Sequence, residues 1–308
     1  MAPSRPQELL ASVIVPARDA GRDLAHLLEA LGRQTLPRER FEVVIGDDGS
    51  SDGSTARLAQ GDFVRIAPGP PLNSYAARNR AVRESSAPVL AFCDADCVPE
   101  ADWLERGLAA VGDAEIAAGR IRFTVPERRT VWTLLDIDSF KDHERQVVQG
   151  TAETANLFVP RALYDRVGGF DDTLPEHGDF DFVARCLEAG ARVVYAPEAL
   201  VWHPTRNRAR PFLRAVWIYN RWYAARESRA GRLPEGMKLR SWVPVVQPFR
   251  ARRRWRRSIG PDRRWLGLNG VRPSLGETVC ALPIMYFVVP YLSGVAQVRG
   301  WRDGRRLR

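Results

Sequence analysis

The stretch from Val89 to Pro99, V-L-A-F-C-D-A-D-C-V-P, constrains this chain more than any other. An apolar run of strand length ends abruptly in two carboxylates, Asp94 and Asp96. Residues i and i+2 of an extended chain point the same way. Such a strand end can present two hard oxygen ligands to one divalent cation. Pro99 suits the first turn of a following helix, expected from Glu100 to Val111. The carboxyl end of a buried strand is also where open α/β sheets bind ligands. Two solvated turn aspartates would be spelled the same way, so the flanking sequence has to decide.

Ala11 to Val15 reads as a first buried strand that ends at Pro16, followed by the polar loop Ala17-Arg18-Asp19-Ala20-Gly21. Arg22 to Gln34 carries Leu24, Leu27, Leu28 and Leu31 at helical spacing. Phe41 to Gly46 is a second apolar run, and it too ends in acid, at Asp47 and Asp48. Phe63 to Ile66 reads as a third strand. Tyr75 to Glu84 reads as a helix with Arg78, Asn79 and Arg80 on its polar side. Strand alternating with helix predicts an α/β fold, Rossmann-like, with a mostly parallel sheet flanked by helices. Neither G-x-G-x-x-G nor G-x-x-x-x-G-K-[ST] occurs, which disfavours a dehydrogenase and a P-loop NTPase.

Further along, Glu115 to Val125 reads as one or two strands, and Val131 to Val148 as helical and polar. An apolar run, Thr154 to Pro160, precedes a short helix, Arg161 to Val167. The turn Gly168-Gly169-Phe170-Asp171 leads to the cluster Glu176-His177-Gly178-Asp179-Phe180-Asp181, which opens a helix from Phe182 to Ala189. Acid at a helix start has a structural role of its own, since carboxylates cap free N–H groups. A strand from Arg192 to Ala196 is followed by Ala199 to Pro204.

Together these segments resemble the family-2 glycosyltransferases, inverting enzymes of the GT-A fold that use nucleotide sugars. S-V-I-V-P, E-V-V-I-G-D-D-G-S-S-D-G-S, A-A-R-N-R-A, V-L-A-F-C-D-A-D, G-G-F-D and G-D-F-D-F stand in the family's order across roughly residues 10 to 204. The resemblance implies that Pro16, Ala17 and Arg18 line the nucleotide pocket and that Asp48, with Asp47, holds the base or ribose. It implies that Arg78 serves base or phosphate. Asp94 and Asp96 would bind Mg²⁺ or Mn²⁺ and through it the diphosphate, with His203 a further metal ligand. Asp179 matches the general base, with Asp181 the alternative. Two positions depart from the family pattern: Gly178 stands where an acid ordinarily precedes the base, and Asp19 where the first loop has Asn. Ile218-Tyr219-Asn220-Arg221-Trp222 keeps the Arg-Trp of the processive synthases without their Gln. One base and no evident nucleophile on the enzyme lead us to expect a single inverting displacement.

Charge divides the chain. Up to Pro204, 22 Lys and Arg stand against 32 Asp and Glu; from Thr205 onward, 24 stand against 5. The expected organisation is a catalytic domain at 1–204 and a basic helical extension at 205–308. Within the extension, Arg210 to Arg226 fits an amphipathic helix with Phe212, Val216, Tyr219 and Tyr223 on one stripe. Phe249 to Arg257 interleaves Arg with Trp, as in segments that lie on anionic lipid. Thr278 to Val298 carries no charge and is about long enough to span a bilayer. Pro283, Pro290 and Gly294 leave a re-entrant or in-plane segment, or a buried helix, equally open. No apolar signal segment opens the chain, so the catalytic part is expected on the cytoplasmic face of the membrane. The expected partners are a nucleotide sugar, a glycan or lipid-linked acceptor and an anionic membrane surface, with nucleic acid disfavoured. The four cysteines, at 93, 97, 186 and 280, form no C-x-x-C pair and read as reduced thiols. The competing expectations are a nucleotidyltransferase of the same fold and a non-catalytic protein whose basic tail binds nucleic acid or lipid.

Overall fold

The computed structural model describes residues 8–306 apart from 57, 59–63, 113–114, 140–141, 230 and 235–270. The Arg/Trp stretch Phe249 to Arg257 and the start of the third strand, Phe63, lie outside the described residues. The chain forms two compact units: Met1–Arg122 with Lys141–His203, and Phe123–Phe140 with Pro204–Arg308. Phe123–Phe140, part of the catalytic stretch when the chain is divided in sequence order, belongs to the second unit.

The first unit is built on strands β1 (Ala11–Ala17), β2 (Phe41–Asp47), β3 (Val64–Ala67), β4 (Val89–Cys93), β5 (Val98–Pro99), β6 (Glu115–Thr124), β7 (Asn156–Pro160) and β8 (Arg192–Pro204). They form one sheet in the order β3-β2-β1-β4-β7-β6-β8-β5. β3, β2, β1 and β4 run parallel, as strand–helix alternation predicts. Beyond these, β4 pairs with β7, β7 with β6, and β8 with β5, all antiparallel. The sheet's helices are α1 (Gly21–Leu31), α2 (Ser74–Arg83), α3 (Trp103–Ala110), α5 (His143–Val148), α6 (Arg161–Arg166) and α7 (Gly178–Glu188); α4 (Val131–Ser139) belongs to the second unit.

Side chains alternate across a pleated strand, and β1 uses both faces. Val13 and Val15 join Leu24, Leu27 and Leu31 of α1 and Trp103 and Leu104 of α3 in one core. Ile14 joins Tyr75, Ala81 and Val82 of α2, Tyr164 of α6, and Phe182, Val183 and Cys186 of α7 in the other. Each such buried side chain contributes about 1.5–3 kcal/mol. α2 is therefore buried where sequence spacing gave it a polar side: Arg78 is 4% exposed. Gly46 explains how close it lies, because a Cβ there would sit 2.0 Å from the Ala77 carbonyl oxygen.

Several boundaries move. Pro16 stays in β1, in register with Gly46 of β2. Pro99 ends β5, which pairs with β8, so α3 starts at Trp103 rather than Glu100. Glu115–Thr124 is one strand, and 192–204 is one strand of 13 residues. α7 starts at Gly178, which brings Asp179 and Asp181 inside its first turn. Asn156 joins the antiparallel half: its Nδ2 donates to the carbonyls of Arg120 and Ala199, and its Oδ1 accepts from Trp103 Nε1 at 2.8 Å. Asn156→Ala should lower stability by about 3 kcal/mol, because it leaves buried donors and acceptors unpaired. A urea midpoint equal to that of the wild type would remove this role.

In the second unit α4 (Val131–Ser139) buries Leu134, Leu135 and Ile137 against Phe212, Val216, Val271, Ala281 and Met285. It is an apolar core helix, not the polar one expected from the sequence. α8 runs Ala209–Arg229, α9 Leu275–Pro283 and α10 Val289–Arg306, with a π-helical turn at Ile284–Val288 between the last two. Beyond Val216 the packed side of α8 is Ala224, Ala225, Glu227 and Ser228, whereas Tyr219 is exposed. The reason is close approach: a Cβ on Gly300 would lie 1.7 Å from the Arg221 carbonyl oxygen. Among the described residues no helix is long and apolar enough to cross a membrane.

Arg129 makes a two-pronged ion pair with Glu277, whose carboxylate also closes a capping box with Ser274. The hydrogen bond from Arg129 is the main cause that lowers the Glu277 carboxyl from 4.5 to about 2. A lowered carboxyl pKa stabilises the fold above its unfolded value, and the effect fades as pH falls through the folded one. Wild type should lose stability between about pH 4.5 and about pH 2 that Glu277→Gln does not lose. Parallel acid-unfolding curves for the two proteins would remove the linkage.

Candidate active site

The acids singled out in the sequence lie at or beyond the carboxyl ends of β2 and β4 and at the start of α7, and His203 lies near the end of β8. Asp47 and Asp48 follow β2 but differ in use. Asp47 accepts from the Ser50 backbone and hydroxyl through Oδ1 and from Thr55 Oγ1 through Oδ2, so its carboxylate builds its own loop. Asp48 is 5% exposed, takes the Leu72 N–H on Oδ1 at 2.9 Å and is faced by Arg18 at 3.8 Å and Arg80 at 3.6 Å. Ala17 contributes its carbonyl, which accepts the Asp48 N–H. Pro16 remains part of the sheet.

Asp19, where the resemblance has Asn, ties the first loop to the second. Its Oδ1 accepts from the backbone N–H groups of Ser51 and Asp52, and these bonds hold its carboxyl below the usual range. A carboxylate accepts in this geometry as an amide oxygen would, so the departure preserves the loop. Asp19 adopts a left-handed backbone, φ 48°, which short polar side chains tolerate.

Asp94, beyond β4, accepts from Arg78 Nη2 at 2.6 Å. Asp96 lies 3.6 Å from His203 Nε2. Asp96, Cys97 and His203 each offer one ligand atom, all within 4.8 Å of one another. The hydrogen bond with Cys93, and burial after it, raise the Cys97 thiol well above its ordinary range, and its Sγ is directed to the Ala155 carbonyl at 3.8 Å. That leaves a carboxylate oxygen and an imidazole nitrogen, a donor set that fits a divalent cation completed by phosphate and water.

α7 begins after His177, another residue with a left-handed backbone, φ 62°. Asp181 pairs with Arg185 at 2.9 Å, and Arg185 also donates to the carbonyls of Val167 and Gly169. That fixes the Gly168-Gly169 turn and gives Asp181 a structural role. Asp179 faces the Tyr75 hydroxyl at 3.4 Å. Burial, then the Asp179 charge, push the Tyr75 phenol well above its ordinary value, so it remains a donor.

Sequence reasoning missed Tyr75 and Arg80. Tyr75 lies 104 residues from its partner, and only the fold joins them. Its ring also accounts for Gly178: a Cβ there would lie 2.8 Å from ring carbons. The ring occupies the space that an acid preceding Asp179 would need. Asn79, in the same motif, links Tyr164 and Phe170 and so is structural. Gly178→Ala should displace the Tyr75 ring and cost about 1–3 kcal/mol. An unchanged thermal midpoint would show that the ring yields without cost.

The glycosyl transferase family 2 model matches residues 12–167. The chain is 32% identical to glycosyltransferase AglE of Haloferax volcanii over 209 residues, 65% of this chain and 67% of that protein. It is 29% identical over 237 residues to the pre-mycofactocin glycosyltransferase of Mycobacterium tuberculosis, covering 70% of this chain and 47% of that one. In fold it is similar to a mannosyltransferase of Pyrobaculum calidifontis solved with GDP-Man and Mn²⁺, with a TM-score of 0.59, 16% identity and 97% and 88% of the two chains covered. S. aureus TarS 1-349 with UDP follows at a TM-score of 0.51 and 16% identity, covering 97% and 90%. The match to the family model spans half the chain, and the protein belongs to glycosyl transferase family 2.

Proposed function

We propose that this protein transfers a sugar from a nucleoside-diphosphate donor to an acceptor hydroxyl, with inversion, using a divalent cation. One observation carries the reading: α2 contacts an acid in each of three separate segments, beyond β2, beyond β4 and at the start of α7. Arg80 faces Asp48, Arg78 holds Asp94, and Tyr75 faces Asp179.

Asp48, fixed by the Leu72 N–H, is placed to accept hydrogen bonds from the donor's base or ribose. Asp96 and His203 would hold Mg²⁺ or Mn²⁺, which when bound offsets the charge developing on the departing diphosphate. Arg78 holds Asp94, two residues before Asp96, in place. The acceptor hydroxyl is a weak nucleophile until a carboxylate takes its proton in the transition state. Asp179 is that carboxylate, with the Tyr75 hydroxyl orienting it. Asp181 is already paired with Arg185.

The acceptor in this reading is a lipid-linked, polysaccharide or other envelope molecule at the cytoplasmic face of a membrane. Its support is the charge of the chain from Thr205, 24 basic against 5 acidic residues, which suits an anionic surface.

Asp179→Asn should keep donor binding and lose transfer by about 10²-fold or more. Thermal shifts with nucleoside diphosphates, with and without Mn²⁺, test the rest, since a ligand that binds only the folded state raises the midpoint. The Mn²⁺-dependent part should vanish in Asp96→Asn and in His203→Ala. Full turnover in the Asp179 variant, or no effect of Mn²⁺ on wild type, overturns the reading.

A further inference from the structure

The last two helices carry an exposed apolar ridge. Leu275, Val279, Pro283, Phe287, Tyr291 and Val295 recur every fourth residue, and all are exposed; Phe287 and Tyr291 are 74% and 72% exposed. On an unbroken α-helix a step of four advances about 40° past a full turn, so the ridge would rotate about 200° from end to end. The π-helical turn at Ile284–Val288 lies in the middle of it. A π-turn accommodates one extra residue, which takes back about 100°. Both halves of the ridge therefore share one side. The opposite side, with Ala281, Met285 and Ala296, is buried.

Beside the ridge is a groove of about 800 Å³, lined by Leu213, Phe287, Val288 and Tyr291 together with Arg210 and Arg214. Both arginines are exposed. Between Thr278 and Arg302 the sequence has no acidic residue, and Glu277 is held by Arg129. Apolar side chains with guanidinium groups at their border match an anionic amphiphile. A second copy of the chain would bring its own arginines against these, so charge favours lipid over self-association.

We propose that the ridge from Leu275 to Val295, with Arg210 and Arg214, is the face by which this protein lies on an anionic bilayer. The apolar side chains enter the interface, and the guanidinium groups meet lipid phosphates. The proposal rests on the reading that the acceptor is held at a membrane, and it assigns the contact to a defined helix face.

Cys280 is exposed, while Cys93, Cys97 and Cys186 are buried. An environment-sensitive fluorophore on Cys280 of the full chain reports on the ridge directly. Vesicles of phosphatidylcholine with a third phosphatidylglycerol should shift its emission to the blue, and phosphatidylcholine alone should not. Phe287→Glu with Tyr291→Glu should weaken vesicle binding by about tenfold or more, with an unchanged circular dichroism spectrum. Arg210→Gln with Arg214→Gln should remove much of the salt dependence. No emission shift with anionic vesicles overturns the proposal. So does vesicle binding by the double glutamate variant that equals wild type, or a loss of self-association in that variant with vesicle binding intact. Nucleotide-sugar hydrolysis without vesicles separates the two readings. The ridge variants should match wild type there, whereas absent hydrolysis in wild type strikes the transfer reading and leaves the vesicle result standing.

Discussion

The guanidinium of Arg78 is buried in the core of the first unit, and a buried charge without a partner would cost several kcal/mol. Asp94, at the end of β4, is the partner 2.6 Å away. This pair fixes the rotation of α2 about its axis, and Gly46 fixes its distance from the sheet. Once both are set, Tyr75 and Arg80 have little choice of direction. Tyr75 meets Asp179 on α7, and Arg80 meets Asp48 beyond β2. A single helix thus couples strand ends that are far apart in sequence.

Neighbouring acids of the same type divide their labour through their surroundings. Asp47 and Asp48 are adjacent, yet Asp47 is occupied by Ser50 and Thr55 while Asp48 is faced by two arginines. Asp179 and Asp181 share a helical turn, yet Asp181 is occupied by Arg185. The glycine before Asp179 follows the same logic. An acid there would collide with the ring of Tyr75, and the hydroxyl of that ring supplies a hydrogen-bond donor beside Asp179.

The second unit obeys different rules. Its core is aliphatic and aromatic at α4, then gives way to small residues where α8 and α10 meet at Gly300 and Gly304. Close backbone approach replaces side-chain interdigitation there, which is why Tyr219, on the sequence's apolar stripe, is exposed. The uncharged segment from Thr278 to Val298 is divided among two helices and a π-turn.

Much of the first unit was legible in the chain itself. Apolar runs ending in acid located β1, β2 and β4 to within a residue or two, because strand burial and polar loops leave a local signature. The order of these runs and the motifs at their ends pointed to the family. The partner of each acid was not legible. Asp179 and Asp181 are equivalent in spelling, and Tyr75 could not be read as a neighbour across 104 residues. Nor could Phe123–Phe140 be read as part of the second unit, since its apolar side finds its partners far downstream. Hydrophobic periodicity and strand-end chemistry are local, and the sequence determines them alone. Which charges meet, and which space a ring fills, depends on packing between distant segments, and only the tertiary structure decides it.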